Sequence, residues 1–175
     1  MGRPFEVKEA AELLDSGFLA KWQERRALDP LARTALRTIL EQIVESGRPV
    51  RVEELAALLP AHDPGEVSDA MARLDEKDLI VVLEEQVIVA YPLAGIPTAF
   101  TVTLPDGRER YAVCAIDALG VPAMLGQPVA IRSHCHHCRE PLEIHAGPDG
   151  PIGGAEVMVW VGERGEPRSK SYTSR

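Results

Sequence analysis

The sequence predicts an α+β protein: a winged-helix-like N-terminal helical domain, then a small mixed β-sheet domain with one helix inserted. Three observations predict it. Apolar residues recur at helical spacing through most of the first 78 positions. Beyond them, short apolar runs alternate with turn residues, as strands do. Between the two lies YPLAGIP at 91–97, a Pro- and Gly-bearing connector. The domains therefore fall at 1–91 and 98–175, with 92–97 as the linker.

Taken in order, residues 5–26 place Val7, Ala11, Leu14, Phe18 and Trp22 on one helical face, which reads as a docking stripe rather than a cofactor box. Asp29-Pro30 supplies an N-cap and a favoured first helical residue. Leu31, Ala35, Leu36, Ile39, Leu40, Ile43 and Val44 follow with amphipathic period until Gly47 and Pro49 end the helix. A short helix is expected over 52–59. Another starts at Asp63-Pro64, where Glu66 completes a capping box, and it buries Val67, Ala70, Met71 and Leu74. Apolar runs at 79–83 and 87–91, split by Glu84-Glu85-Gln86, form a β-hairpin.

In the second half, 99–104 alternates as a strand, Pro105-Asp106-Gly107 turns, and 110–114 returns antiparallel. A short helix over 117–125 is stopped by Gly126. Three further strands are expected at 129–133, 141–145 and 156–161, the last two separated by the Gly147-Pro148-Asp149-Gly150 turn.

Bulk composition narrows the function classes. At 175 residues with 45% hydrophobic content, the chain can bury a sizeable core. No apolar run approaches a membrane span and the N-terminus lacks a signal-peptide core, so a cytoplasmic location is expected, with no membrane partner. A net charge of −8 argues against nucleic acid, which selects basic surfaces. Three helices and a hairpin suit a DNA reader, but the helix from Pro64 exposes Glu66, Asp69, Asp75, Glu76 and Asp78 against Arg73 and Lys77. Three cysteines, an odd number, read as thiols or metal ligands rather than a disulfide framework.

Two constellations carry chemistry. In 111–126, YAVCAIDALGVPAMLG, a strand runs into a helix so that Cys114 and Asp117 share one small volume. Unsatisfied N–H groups at the helix start favour a carboxylate at Asp117, and the same helix end is expected to favour the Cys114 thiolate. The second constellation is SHCHHC at 133–138, whose C-x-x-C on a turn makes Cys135 and Cys138 a candidate zinc pair. It is half of a four-ligand set. His134, His136, His137 and His145 are the nearby candidates to complete it, and neighbours inside a C-x-x-C rarely have the geometry to do so.

The first constellation resembles the active-site segment of organomercurial (alkylmercury) lyases, Y-A-x-C-A-[LI]-D-x-L-x-x-P-A-[LM]-[LI]-G followed by a strand ending in S-x-C. The matching positions are Tyr111, Ala112, Cys114, Ala115, Ile116, Asp117, Leu119, Pro122, Ala123, Met124, Leu125 and Gly126, then Ser133 and Cys135. The similarity runs from about residue 47 to about 162 and is strongest over 111–135. A C-x-x-D alone reads as a small buried hydrophobe and a helix cap; the matched positions around it reverse that preference. The resemblance implies protonolysis of the carbon–mercury bond of an alkyl- or arylmercury substrate, giving hydrocarbon and Hg(II). Cys114 would bind mercury, with Asp117 beside it moving a proton from thiol to carbon. No cofactor is required, and small thiols release the product. It also implies a winged-helix-like N-terminal domain and a structural role for Cys135.

The family uses a second reactive cysteine about a dozen residues after the strand matching 157–161, and none stands between Arg139 and Arg175. Full activity is therefore expected to be impaired unless the natural chain continues past Arg175. Cys138 would substitute only if its loop reaches Cys114. The rival reading is a noncatalytic protein that binds or senses a soft metal (mercury, copper or zinc) through Cys114, Cys135 and Cys138. A DNA-binding regulator is a third.

Overall fold

The computed structural model describes residues 23, 27–154 and 156–159. The docking stripe expected over 5–26 lies outside these residues, apart from Gln23. Helix α1 (Pro30–Ser46) starts where local chemistry dictates. The Asp29 side chain accepts from the Ala32 N–H at 2.9 Å, Pro30 takes the first turn, and Gly47 closes the helix at φ 68° with its N–H on the Ile43 carbonyl. Strand β1 (Val50–Arg51) and helix α2 (Val52–Leu58) follow. Helix α3 (Pro64–Glu76) has the expected capping box: Asp63 accepts from the Gly65 N–H, and Glu66 accepts from the Asp63 N–H. β2 (Ile80–Leu83) and β3 (Gln86–Ala90) pair around Glu84 and Glu85, both at positive φ, as a two-residue hairpin turn requires.

The connector is not a bare linker. Leu93–Ala94 form strand β4, which pairs with β3 on one side and with β6 (Glu109–Ala112) on the other. The sheet then continues through β5 (Phe100–Thr103), β7 (Val129–His134), β8 (Pro141–Gly147) and β9 (Gly150–Ile152). Every pairing among the described residues is antiparallel, so the expected mixed sheet is corrected to an antiparallel one. Hairpin connections explain this, because parallel neighbours would need long crossovers.

The strand expected over 156–161 is a second correction: residues 156–159 are turn and irregular, and 160–161 lie outside the described set. Its place beside β8 is taken by β9, because the 147–150 turn folds the chain straight back, pairing Gly147 with Gly150 and His145 with Ile152. One buried apolar cluster crosses the whole structure. It joins Ile39, Ile43, Leu55, Leu74 and Ile80 to Leu93, Val102, Ala118 and Val121. Helix α4 (Ala115–Leu125) packs onto β5, β6, β7, β8 and β9 and buries Ala118, Val121 and Pro122.

Candidate functional site

Helix α4 begins at Ala115, two residues before the position expected, and the residue that caps it is Cys114. Strand β6 correspondingly ends at Ala112, so Cys114 sits in the bend between strand and helix and not within the strand. Its sulfur accepts the Asp117 backbone N–H at 3.5 Å, in place of the oxygen of an ordinary N-cap. Asp117 is therefore one step inside the first turn, with its carboxylate within hydrogen-bonding reach of the Cys114 thiol.

The bend is pinned from elsewhere in the chain. The Val113 N–H donates to the Pro92 carbonyl at 3.1 Å, and the Thr98 hydroxyl donates to the Ala112 carbonyl at 2.6 Å. Thr98 and Pro92 carry no motif, so sequence reasoning had no signal for either. Gly126, at φ 67°, ends α4 as expected, its N–H on the Pro122 carbonyl.

The electrostatics of Cys114 reverse the expectation of a favoured thiolate. Burial, aided by the hydrogen bond to the Asp117 carboxylate, pushes the thiol up to about 11. The Asp117 N–H pulls the other way but is outweighed. One weak N–H···S contact does not offset lost hydration and a neighbouring acceptor that prefers S–H. The resting group is thus a thiol beside a carboxylate, and a soft metal can displace its proton.

Cys135 and Cys138 lie together on the tip of the β7–β8 hairpin. Among the described residues no three His, Cys, Asp or Glu side chains gather to hold a metal, so neither Cys135 nor Cys138 joins Cys114 and Asp117 in such a cluster. The stand-in role considered for Cys138 at Cys114 is accordingly not assembled. Two surface hollows, one along α1 at Arg33, Arg37 and Glu41, the other around Pro128 and 147–152, are not lined by Cys114 or Asp117.

The family model for alkylmercury lyase matches residues 93–174, which hold the whole of this site. Curated alkylmercury lyases of Bacillus cereus and Clostridium butyricum are each 32% identical over 152 residues, covering 82% of this chain and 61% of their own length. Over residues 93–174 the chain matches the alkylmercury lyase family. Another alkylmercury lyase, of Streptomyces lividans, is 33% identical over 110 residues, 63% of this chain and 49% of its own. Among solved structures, the mercury-bound form of MerB2 superposes with a TM-score of 0.65 at 25% identity, covering 77% of this chain and 65% of that one. The chain spans about three fifths of the length of these first two alkylmercury lyases. Among the described residues no helix is long and apolar enough to cross a membrane.

Proposed function

We propose that this chain carries out protonolysis of organomercurials at Cys114 and Asp117. The observation that carries the reading is the direct coupling of the two groups: a half-buried thiol whose sulfur accepts the Asp117 N–H and lies within hydrogen-bonding reach of the Asp117 carboxylate. Mercury binds sulfur because both are soft. When R–Hg–X meets Cys114, the S–H bond breaks, an S–Hg bond forms, X departs, and the proton passes to Asp117. Asp117 then delivers that proton to the carbon. The C–Hg bond breaks, R–H leaves, and mercury remains on Cys114 as Hg(II). A proton held beside the carbon is what general acid catalysis requires, and Asp117 never needs to reach solvent for it.

Within these 175 residues Cys114 is the single thiol at this site, since the other two are Cys135 and Cys138 on the hairpin. A small thiol then lifts Hg(II) off Cys114, which regains its proton. The N-terminal unit through Tyr91 serves as a winged-helix-like support joined through 92–97 to the catalytic unit, acting in the cytoplasm without nucleic acid, membrane or cofactor.

The test is benzene release from phenylmercury by gas chromatography, in a variant whose Cys135 and Cys138 are both serine so that competing thiols are removed. Benzene should appear catalytically and rise with thiol concentration before saturating. Cys114→Ser should abolish both loading and release; Asp117→Ala should load phenylmercury and hold it. A chain that loads phenylmercury on Cys114 but releases no benzene at any thiol concentration would leave the soft-metal binding reading in place of this one.

A further inference from the structure

Cys114, the cap of α4, is followed at three-residue steps by Asp117, Gly120 and Ala123, so the four positions share one ridge of the helix. The ridge begins with the sulfur that takes mercury and the carboxylate that meets its carbon. Its next position has no side chain. Gly120 is exposed, its backbone is helical, and a Cβ built there would meet no described atom within 4 Å. Neither backbone conformation nor packing among the described residues therefore demands glycine, which weakens a helix interior relative to alanine.

The ground around Gly120 is apolar. Ile116 and Met124, four residues to either side, are 56% and 38% exposed, and Ala123 is exposed as well. Asp117 is the one ionisable side chain within α4. Solvent-facing sides of helices ordinarily carry charge, so an apolar one that adjoins a thiol and a carboxylate is a surface for hydrocarbon.

Helical side chains lean toward the N-terminus, so a side chain at position 120 would lie over the turn that holds Ile116 and Asp117. That is the space a bound organomercurial needs. Its carbon stands on the far side of mercury from the Cys114 sulfur. With that carbon against Asp117, the remainder of the organic group continues along the ridge onto Gly120, flanked by Ile116 and Met124.

We propose that the hydrocarbon group of the substrate lies over Gly120, between Ile116 and Met124, and that the bare position at 120 sets how large a group fits. This inference rests on the organomercurial reading of Cys114 and Asp117.

The test separates loading from bond cleavage. It uses the full chain with Cys135 and Cys138 as serine and with Asp117→Asn, which keeps the side chain's size and removes the acid. Phenylmercury and methylmercury compete for Cys114 under excess small thiol, and intact mass reads which organic group each molecule holds. Gly120→Leu should lower the ratio of phenylmercury to methylmercury by about tenfold, the scale on which apolar sites sort groups by size. Gly120→Ala should lower it by less, and because alanine strengthens a helix, that fall cannot come from unfolding. An unchanged ratio in Gly120→Leu, or a fall there with none in Gly120→Ala, would overturn the proposal. A parent chain that loads phenylmercury and releases no benzene would instead remove protonolysis alone, because the ratio is read with the carbon–mercury bond intact.

Discussion

The Arg110 guanidinium, buried at 6% exposure, donates through Nε to the Val44 carbonyl at 2.6 Å, a contact across 66 residues of chain. The same group donates through Nη2 to the Glu45 carbonyl at 2.8 Å and through Nη1 to the Glu109 carbonyl at 2.6 Å. Val44 and Glu45 end α1, where carbonyls lack helical partners and carry partial negative charge. Arg110 on β6 thus finishes a helix of the first half and fastens it to the strand that leads to Cys114. Arg110→Ala should remove a donor from three carbonyls, of which those of Val44 and Glu45 keep Arg108, and lower stability by about 2 kcal/mol. Arg110→Lys should recover only part, because an ammonium cannot reproduce the planar fork. Urea denaturation of the three proteins measures this; equal midpoints would show that the contact is dispensable.

Cys114 provides the pH prediction. Its thiol is raised from 9.0 to about 11, so the folded state holds the proton to higher pH than the unfolded chain does. The stabilisation is fully present below the unfolded thiol's pKa and is lost as pH climbs from about 9 to about 11. Thiolate absorbance, read in the variant with Cys135 and Cys138 replaced by serine, should titrate near the upper value. Asp117→Asn removes one raising influence and should shift the midpoint down, though not to the ordinary value, because burial is the larger cause. A midpoint at or below 9 in the parent would contradict the protonated resting state.

Gly95 sits in the connector, where composition suggests a pliant residue. A Cβ built there would lie 2.5 Å from the Pro49 nitrogen and 2.7 Å from the Arg48 carbonyl carbon, both backbone atoms. Neither can swing aside as a side-chain end could. Gly95→Ala should therefore cost about 2 kcal/mol by forcing β4 away from the 48–49 segment. Thermal melting checks it, with Gly107→Ala as the control for glycine substitution in general: Gly107 has open space around it but a φ of 83°, so its cost is conformational. A Gly95→Ala protein that melts with the parent would remove the packing role.

The N-terminal unit should fail to shift duplex DNA even at low salt, where phosphate attraction is strongest. Arg73, the one arginine on α3, is engaged with the Asp29 carboxylate at 3.0 Å, and the exposed positions of that helix include Glu66, Asp69 and Glu76. Micromolar, salt-sensitive binding in a mobility assay would bring back the regulator reading.

What the sequence by itself determined is local. Asp29, Asp63 and Glu66 mark helix starts, and Gly47 and Gly126 mark helix ends, because a cap is completed within four residues of chain. The hairpins were legible for the same reason, and so was the pairing of Cys114 with Asp117, which share one helical turn. Tertiary structure decided everything that depends on distant partners. It placed β4 in the connector, because Leu93 and Ala94 find β3 on one side and β6 on the other. It put β9 against β8 where a later strand was expected, since pairing needs only an open edge and a tight turn. It also set the protonation of Cys114: a helix start near a cysteine suggests a thiolate, but the packing around α4 removes the water a thiolate needs and leaves the proton on sulfur.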